Sequence, residues 1–228
     1  MRWLLLCASL LLCEMSASAA GDASTASQGF SEWVTFNRPS PPWDCKGKCA
    51  AAIYGGPYLL TPLGNVDGAR GFVPPWKYKY DDSVFVGGTL SQVFVEFKQF
   101  AQIEGEVGVG RRFGTLHETE VWAALYFRWK WFPWNEFITT TLAVSTGVNY
   151  ASGLPQYEVD MSGVGYGSRL LHYFSPEITF ALPSRPDWQF LTRVHHRSGG
   201  EHYWGYTPLF KGVDGGTQYL VFGIRHWF

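Results

Sequence analysis

The stretch Thr217-Gln-Tyr-Leu-Val-Phe-Gly-Ile-Arg-His-Trp-Phe228 closes the chain, and its alternation governs how the rest is read. Counted back from Phe228, the residues His226, Ile224, Phe222 and Leu220 share one face. Trp227, Arg225, Gly223, Val221 and Tyr219 share the other, because successive side chains of a strand point to opposite sides. Seven further runs rich in aromatic and β-branched residues precede it, near 51–60, 84–94, 99–112, 118–132, 137–150, 168–182 and 188–198. Clusters of Gly, Pro, Asn and Asp separate them. Connections after the odd-numbered runs are residues 61–83, 113–117, 151–167 and 199–216, whereas those after the even-numbered runs are only 95–98, 133–136 and 183–187. In an antiparallel meander alternate connections fall at alternate ends. The four connections after odd-numbered runs, three of them long, therefore share one end, and the three after even-numbered runs lie at the other.

This asymmetry predicts an all-β fold, an eight-stranded antiparallel up-and-down β-barrel crossing the bacterial outer membrane, formed by residues 51–228. The even count of runs suits such a barrel, and 113–117 is the one short connection at the long-loop end. A last strand ending in Phe with apolar residues at alternate positions resembles the C-terminal signal by which outer-membrane barrels are recognised, so the barrel assembly machinery is an expected partner during biogenesis. Trp122, Trp129, Trp131, Trp134 and Trp188 fall near the inferred strand ends, where an interfacial aromatic girdle would sit.

Composition narrows the classes further. Of 228 residues, 46% are hydrophobic and 18% aromatic, and Lys plus Arg number 18 against 19 Asp plus Glu, a net charge of −1. That near-balance, without blocks of like charge, offers no basic footprint for nucleic acid, and the apolar content excludes a disordered chain. Residues 1–20 read as a secretion signal, with Arg2, an apolar run from Trp3 to Leu12 and the exit Ala17-Ser-Ala-Ala20. Residues 21–50 form an irregular, Pro-containing lead-in expected in the periplasm. Cys7 and Cys13 leave with the signal, and Cys45 and Cys49 read as a local disulfide in an oxidising compartment. A lone CxxxC without His is a poor metal site, and no metal or organic cofactor is expected.

The chemistry concentrates in the seventh run, Trp188-Gln-Phe-Leu-Thr-Arg-Val-His-His-Arg-Ser198, followed by Gly199 and Gly200. Period two places Phe190, Thr192, Val194, His196 and Ser198 on the apolar, lipid-facing side, and Gln189, Leu191, Arg193, His195 and Arg197 on the inner side. His196 and Ser198 are two apart, roughly 6.5 to 7 Å between Cα atoms, so the imidazole reaches the hydroxyl and can accept its proton. Ser198 is then a nucleophile and His196 its general base, both at the external rim beside the ester bonds of outer-leaflet lipid.

These residues resemble the outer-membrane lipid A 3-O-deacylases of the PagL type, eight-stranded barrels whose seventh strand carries a lipid-facing His-x-Ser pair. The resemblance rests on the signal, the eight runs, Arg193 with His196-Arg-Ser198 and the following Gly, and Asp214-Gly-Gly-Thr-Gln-Tyr219 leading into the last strand. It implies Ser198 as nucleophile and His196 as base. The family has Asn after the serine, for oxyanion stabilisation; here Gly199 stands there, and its backbone N–H is the expected donor. The family also orients its histidine with a Glu near the start of the last strand. The nearest equivalent is about Thr217, which has no carboxylate, so Asp214, or else Glu201, from the loop is the candidate third member. Arg197 at the rim is the candidate contact for lipid A phosphates.

The function expected is a serine esterase of the outer membrane acting on lipid A of lipopolysaccharide through an acyl-enzyme. The rival is a non-catalytic small barrel with a structural, adhesion or resistance role, in which His196 and Ser198 are rim residues. A channel or carrier is disfavoured because eight strands leave an interior filled by side chains.

Overall fold

The computed structural model describes residues 32–228 apart from 67, 161, 163 and 201–206. The signal expected at residues 1–20 and the candidate Glu201 lie outside the described residues. The chain divides into two units, Met1–Thr35 and Phe36–Phe228. Of the first, residues 32–35 are described, a turn running into extended chain.

The second unit is an antiparallel ring of eight staves. Its strands are β1 (Cys49–Leu59), β2 (Tyr80–Phe97), β3 (Ala101–Phe113), β4 (Thr119–Trp129), β5 (Thr139–Ala151), β6 (Leu170–Phe174), β7 (Glu177–Ala181), β8 (Trp188–Ser198) and β9 (Gly216–Trp227). Each stave pairs with its neighbours in sequence, β6 and β7 sharing one stave, and β9 returns to β1 in the register Tyr219↔Tyr58 to Trp227↔Ala50. Phe228 seals this seam, its N–H donating to the Cys49 carbonyl at 2.8 Å. Beside the seam the Cys45 and Cys49 sulfurs are bonded, with Cα atoms 5.4 Å apart.

The sixth run, expected to be continuous, is two strands. Pro176 has no N–H to give to the ladder, and the Ser175 N–H turns instead to Ser145 Oγ at 2.8 Å. Both pieces remain in one stave, β6 and β7 each bridging β5 and β8.

Alternation is kept around the wall. Ile53, Val107, Leu125, Phe190, Phe222 and Ile224 are exposed on the outside, a surface suited to hydrocarbon rather than water. Trp129, Trp131, Trp134 and Trp188 are exposed at the tight-turn end. Trp122 departs from the expected girdle: it is an even-numbered residue of β4, like the buried Glu120, Ala124 and Tyr126, and its indole donates to Glu106 inside the barrel at 3.1 Å.

The interior is filled by charge. Glu104, Glu106, Glu120, Glu158 and Glu177 are buried with Arg112, Arg128, Arg193, Arg197 and Arg225, five of each sign. Arg193 forks onto both oxygens of Glu106 at 2.9 Å and also meets Glu177. Arg225 and Arg128 bond Glu177 at 2.6 and 2.7 Å. Removing either partner of such a pair would strand the other in a dry interior, so the set persists together.

Candidate active site

Ser198 is the last residue of β8 and His196 lies two before it, both on the outer face at the long-loop end. The His196 Nε2 stands 2.9 Å from Ser198 Oγ. On its far side, His196 Nδ1 is 3.1 Å from Gln218 Oε1. Gln218 is the cross-strand partner of His196 in the β8–β9 ladder, so the two side chains share a face by register. The Gln218 amide is fixed in turn because its Nε2 donates to the Thr61 carbonyl in the loop after β1. Thr61 is held there by Lys79, whose N–H donates to its hydroxyl at 3.0 Å.

The orientation of that amide decides the chemistry. With Nε2 engaged by Thr61, only the carbonyl oxygen of Gln218 faces the imidazole, so His196 keeps its proton on Nδ1. The lone pair on Nε2 is then directed at the Ser198 hydroxyl. Four groups in line, a carbonyl, an amide, an imidazole and a hydroxyl, set one tautomer.

Gln218 escaped the sequence reading, which set the family position at about Thr217 and, seeking a carboxylate, looked to Asp214 or else Glu201. A shift of one residue reverses the face. Thr217 points inward, accepting from Arg112 Nη2 at 2.8 Å and donating to Glu158 at 2.9 Å. Asp214 lines the groove containing His196 and Ser198, but the side chain at His196 Nδ1 is that of Gln218. The available signal was the alternation itself, which carries Phe222 and Leu220 back to a polar residue at 218 on an otherwise apolar face.

Two further expectations are revised. The Gly199 N–H is engaged by the Gly215 carbonyl at 3.2 Å, and the Gly200 N–H by that of Asp214 at 3.1 Å. Gly199 serves close approach: a Cβ there would run into the Val213 carbonyl oxygen. Arg197 is fully buried inside the barrel rather than presented at the rim. Its Nη1 donates to both oxygens of Glu158 at 2.9 Å, and Glu158 belongs to α1 (Gln156–Asp160) in the loop after β5.

Ser198 and His196 open into a groove of about 330 Å³ lined by Leu59, Leu60, Leu63, Phe174 and Tyr157, with Arg70 and Asp214 among its polar members. An apolar cleft with a few convergent polar groups is the usual form of a small-molecule site. Among the described residues no group of three or more His, Cys, Asp or Glu side chains is placed to hold a metal ion.

No protein-family model matches the sequence, and no curated protein matches it. Among solved structures the chain is similar to the outer membrane enzyme PagL, at 14% identity and a TM-score of 0.47, over 77% of this chain and 97% of that one. It is similar to a de novo designed transmembrane β-barrel at 11% identity and a TM-score of 0.43, over 85% of this chain and 100% of that one. It is also similar to Ail, the attachment invasion locus protein of Yersinia pestis, at 12% identity and a TM-score of 0.37, over 80% and 99%. A fold hosts unrelated functions, so function is read from the site and not from the fold.

Proposed function

We propose that this chain is an outer-membrane serine esterase that removes an ester-linked acyl chain from lipid A, by 3-O-deacylation, in the outer leaflet. The observation that carries the reading is the hydrogen-bonded line Thr61, Gln218, His196 and Ser198 on the outward face of an apolar wall. Imidazole, amide and hydroxyl groups facing hydrocarbon are costly, and side chains so placed mark function more often than structure.

His196 Nε2 takes the Ser198 proton as Oγ attacks the ester carbonyl, giving a tetrahedral intermediate. The intermediate collapses, the C–O bond to the sugar breaks, and the imidazolium returns the proton to the departing sugar oxygen. Water, deprotonated by the same nitrogen, then cleaves the acyl-enzyme, releasing the fatty acid and restoring the serine. Gln218 supplies orientation without negative charge, so the imidazolium is stabilised less than beside a carboxylate. The substrate arrives laterally within the leaflet, and the groove beside Ser198 receives it.

A serine-directed fluorophosphonate applied to the folded barrel tests the pair. The wild type is expected to be labelled at Ser198, Ser198→Ala not at all, and His196→Asn at least about 10²-fold more slowly. A wild type that is folded and refractory to the probe would favour the non-catalytic barrel.

A further inference from the structure

An esterase on Ser198 needs a donor for the oxygen that becomes negative in the tetrahedral intermediate. The backbone N–H groups that follow the serine do not provide it, since Gly199 and Gly200 give theirs to the carbonyls of Gly215 and Asp214. On the other side of Ser198, however, stands a second imidazole.

His172 of β6 is the register partner of Ser198 in β8, so the two side chains project outward from adjacent strands. Their Cβ atoms fall at the roughly 4.5–5.5 Å of a directly opposed pair. His196 meets the hydroxyl along its own strand, and His172 stands opposite Ser198 on the neighbouring one. The His172 Nε2 is 3.0 Å from Thr146 Oγ1 of β5, on the same outer face. This contact anchors Nε2; when the threonine hydroxyl donates to it, the ring proton sits on Nδ1. His172 also lines both the groove at Ser198 and a larger apolar recess of about 820 Å³ on the barrel wall, whose lining includes Leu90, Val107, Leu125 and Val148. An acyl chain lying in that recess, with its head group in the groove near Arg70, would pass its ester between His172 and Ser198.

We propose that His172 is a further catalytic residue, whose imidazole N–H binds the ester carbonyl oxygen as it gains charge on attack by Ser198, with Thr146 anchoring the ring through Nε2. The inference rests on the esterase reading above. In the attack step the carbonyl π pair moves onto that oxygen as the Oγ–C bond forms, and His172 donates a hydrogen bond without giving up its proton.

The test compares wild type, His172→Phe, His172→Gln and Thr146→Val in mixed micelles with a p-nitrophenyl acyl ester, folding being read from mobility before and after heating. His172→Phe keeps a ring on the apolar wall and removes the donor; its kcat is expected to fall by about 10² or more with KM changed less than about threefold. His172→Gln, which retains an N–H, should recover to within about tenfold of wild type. Thr146→Val removes the hydroxyl that anchors Nε2 and lets the ring turn away from the ester, and should lower kcat by about tenfold even if the His172 variants fail to fold. An active wild type matched by His172→Phe, or by Thr146→Val where the His172 variants do not fold, overturns the role of His172 and leaves the esterase intact. A folded wild type without esterase activity overturns both.

Discussion

Gln218 occupies the position at which a catalytic histidine commonly meets a carboxylate. A neutral amide fits there because Thr61 captures its N–H and leaves only oxygen for His196. Gln218→Leu removes that acceptor and releases the imidazole to either tautomer. Its kcat on a micellar ester should fall by about 10²-fold with KM nearly unchanged, as measured by steady-state kinetics on folded protein. A variant that keeps wild-type kcat would show that His196 needs no partner at Nδ1. The pair His196 and Ser198 was legible in the sequence because the period of a strand is local. Gln218 and His172 were not, since each meets the pair through the register of another strand, and neither has a neighbour in sequence that points to it.

The short helix α1 acts as a peg between an external loop and the barrel mouth. Glu158 accepts from Arg112 at 2.9 Å and from Arg197 at 2.9 Å, and from the Thr217 hydroxyl, while Tyr157 beside it lines the groove at Ser198. Glu158→Ala would leave two buried guanidiniums short of a counter-charge, at a cost of about 3–5 kcal/mol. The variant is expected to lose its compact, heat-resistant mobility at a lower temperature than wild type on gels of samples heated stepwise. An unchanged transition would mean the peg contributes nothing to barrel stability. Arg197 had read from sequence as a phosphate contact, because a rim arginine with no visible partner suggests an external anion. Its partner lies 39 residues earlier in a loop without strand periodicity, and nothing near Arg197 in the chain announces it. The staves themselves were legible, since alternation and turn residues are local. The break at Pro176 and the inward turn of Trp122 required attention to single positions within runs that otherwise looked regular.

Across the whole molecule, polarity is sorted in an unusual way. Five acidic and five basic side chains are buried inside, where they compensate one another and fill the lumen. On the largely apolar outer wall the row Thr146, His172, Ser198, His196 and Gln218 crosses four adjacent staves at one level near the long-loop end. A plugged interior leaves this row on the outside as the place for chemistry, and a site open to lipid rather than water suits a substrate that never leaves the membrane. The most direct test of that account is mass spectrometry of lipid A from Gram-negative cells expressing the wild type beside cells expressing Ser198→Ala, both shown to be folded in the outer membrane. The account predicts loss of one ester-linked hydroxyacyl chain with the wild type only. Lipid A identical in the two would contradict it.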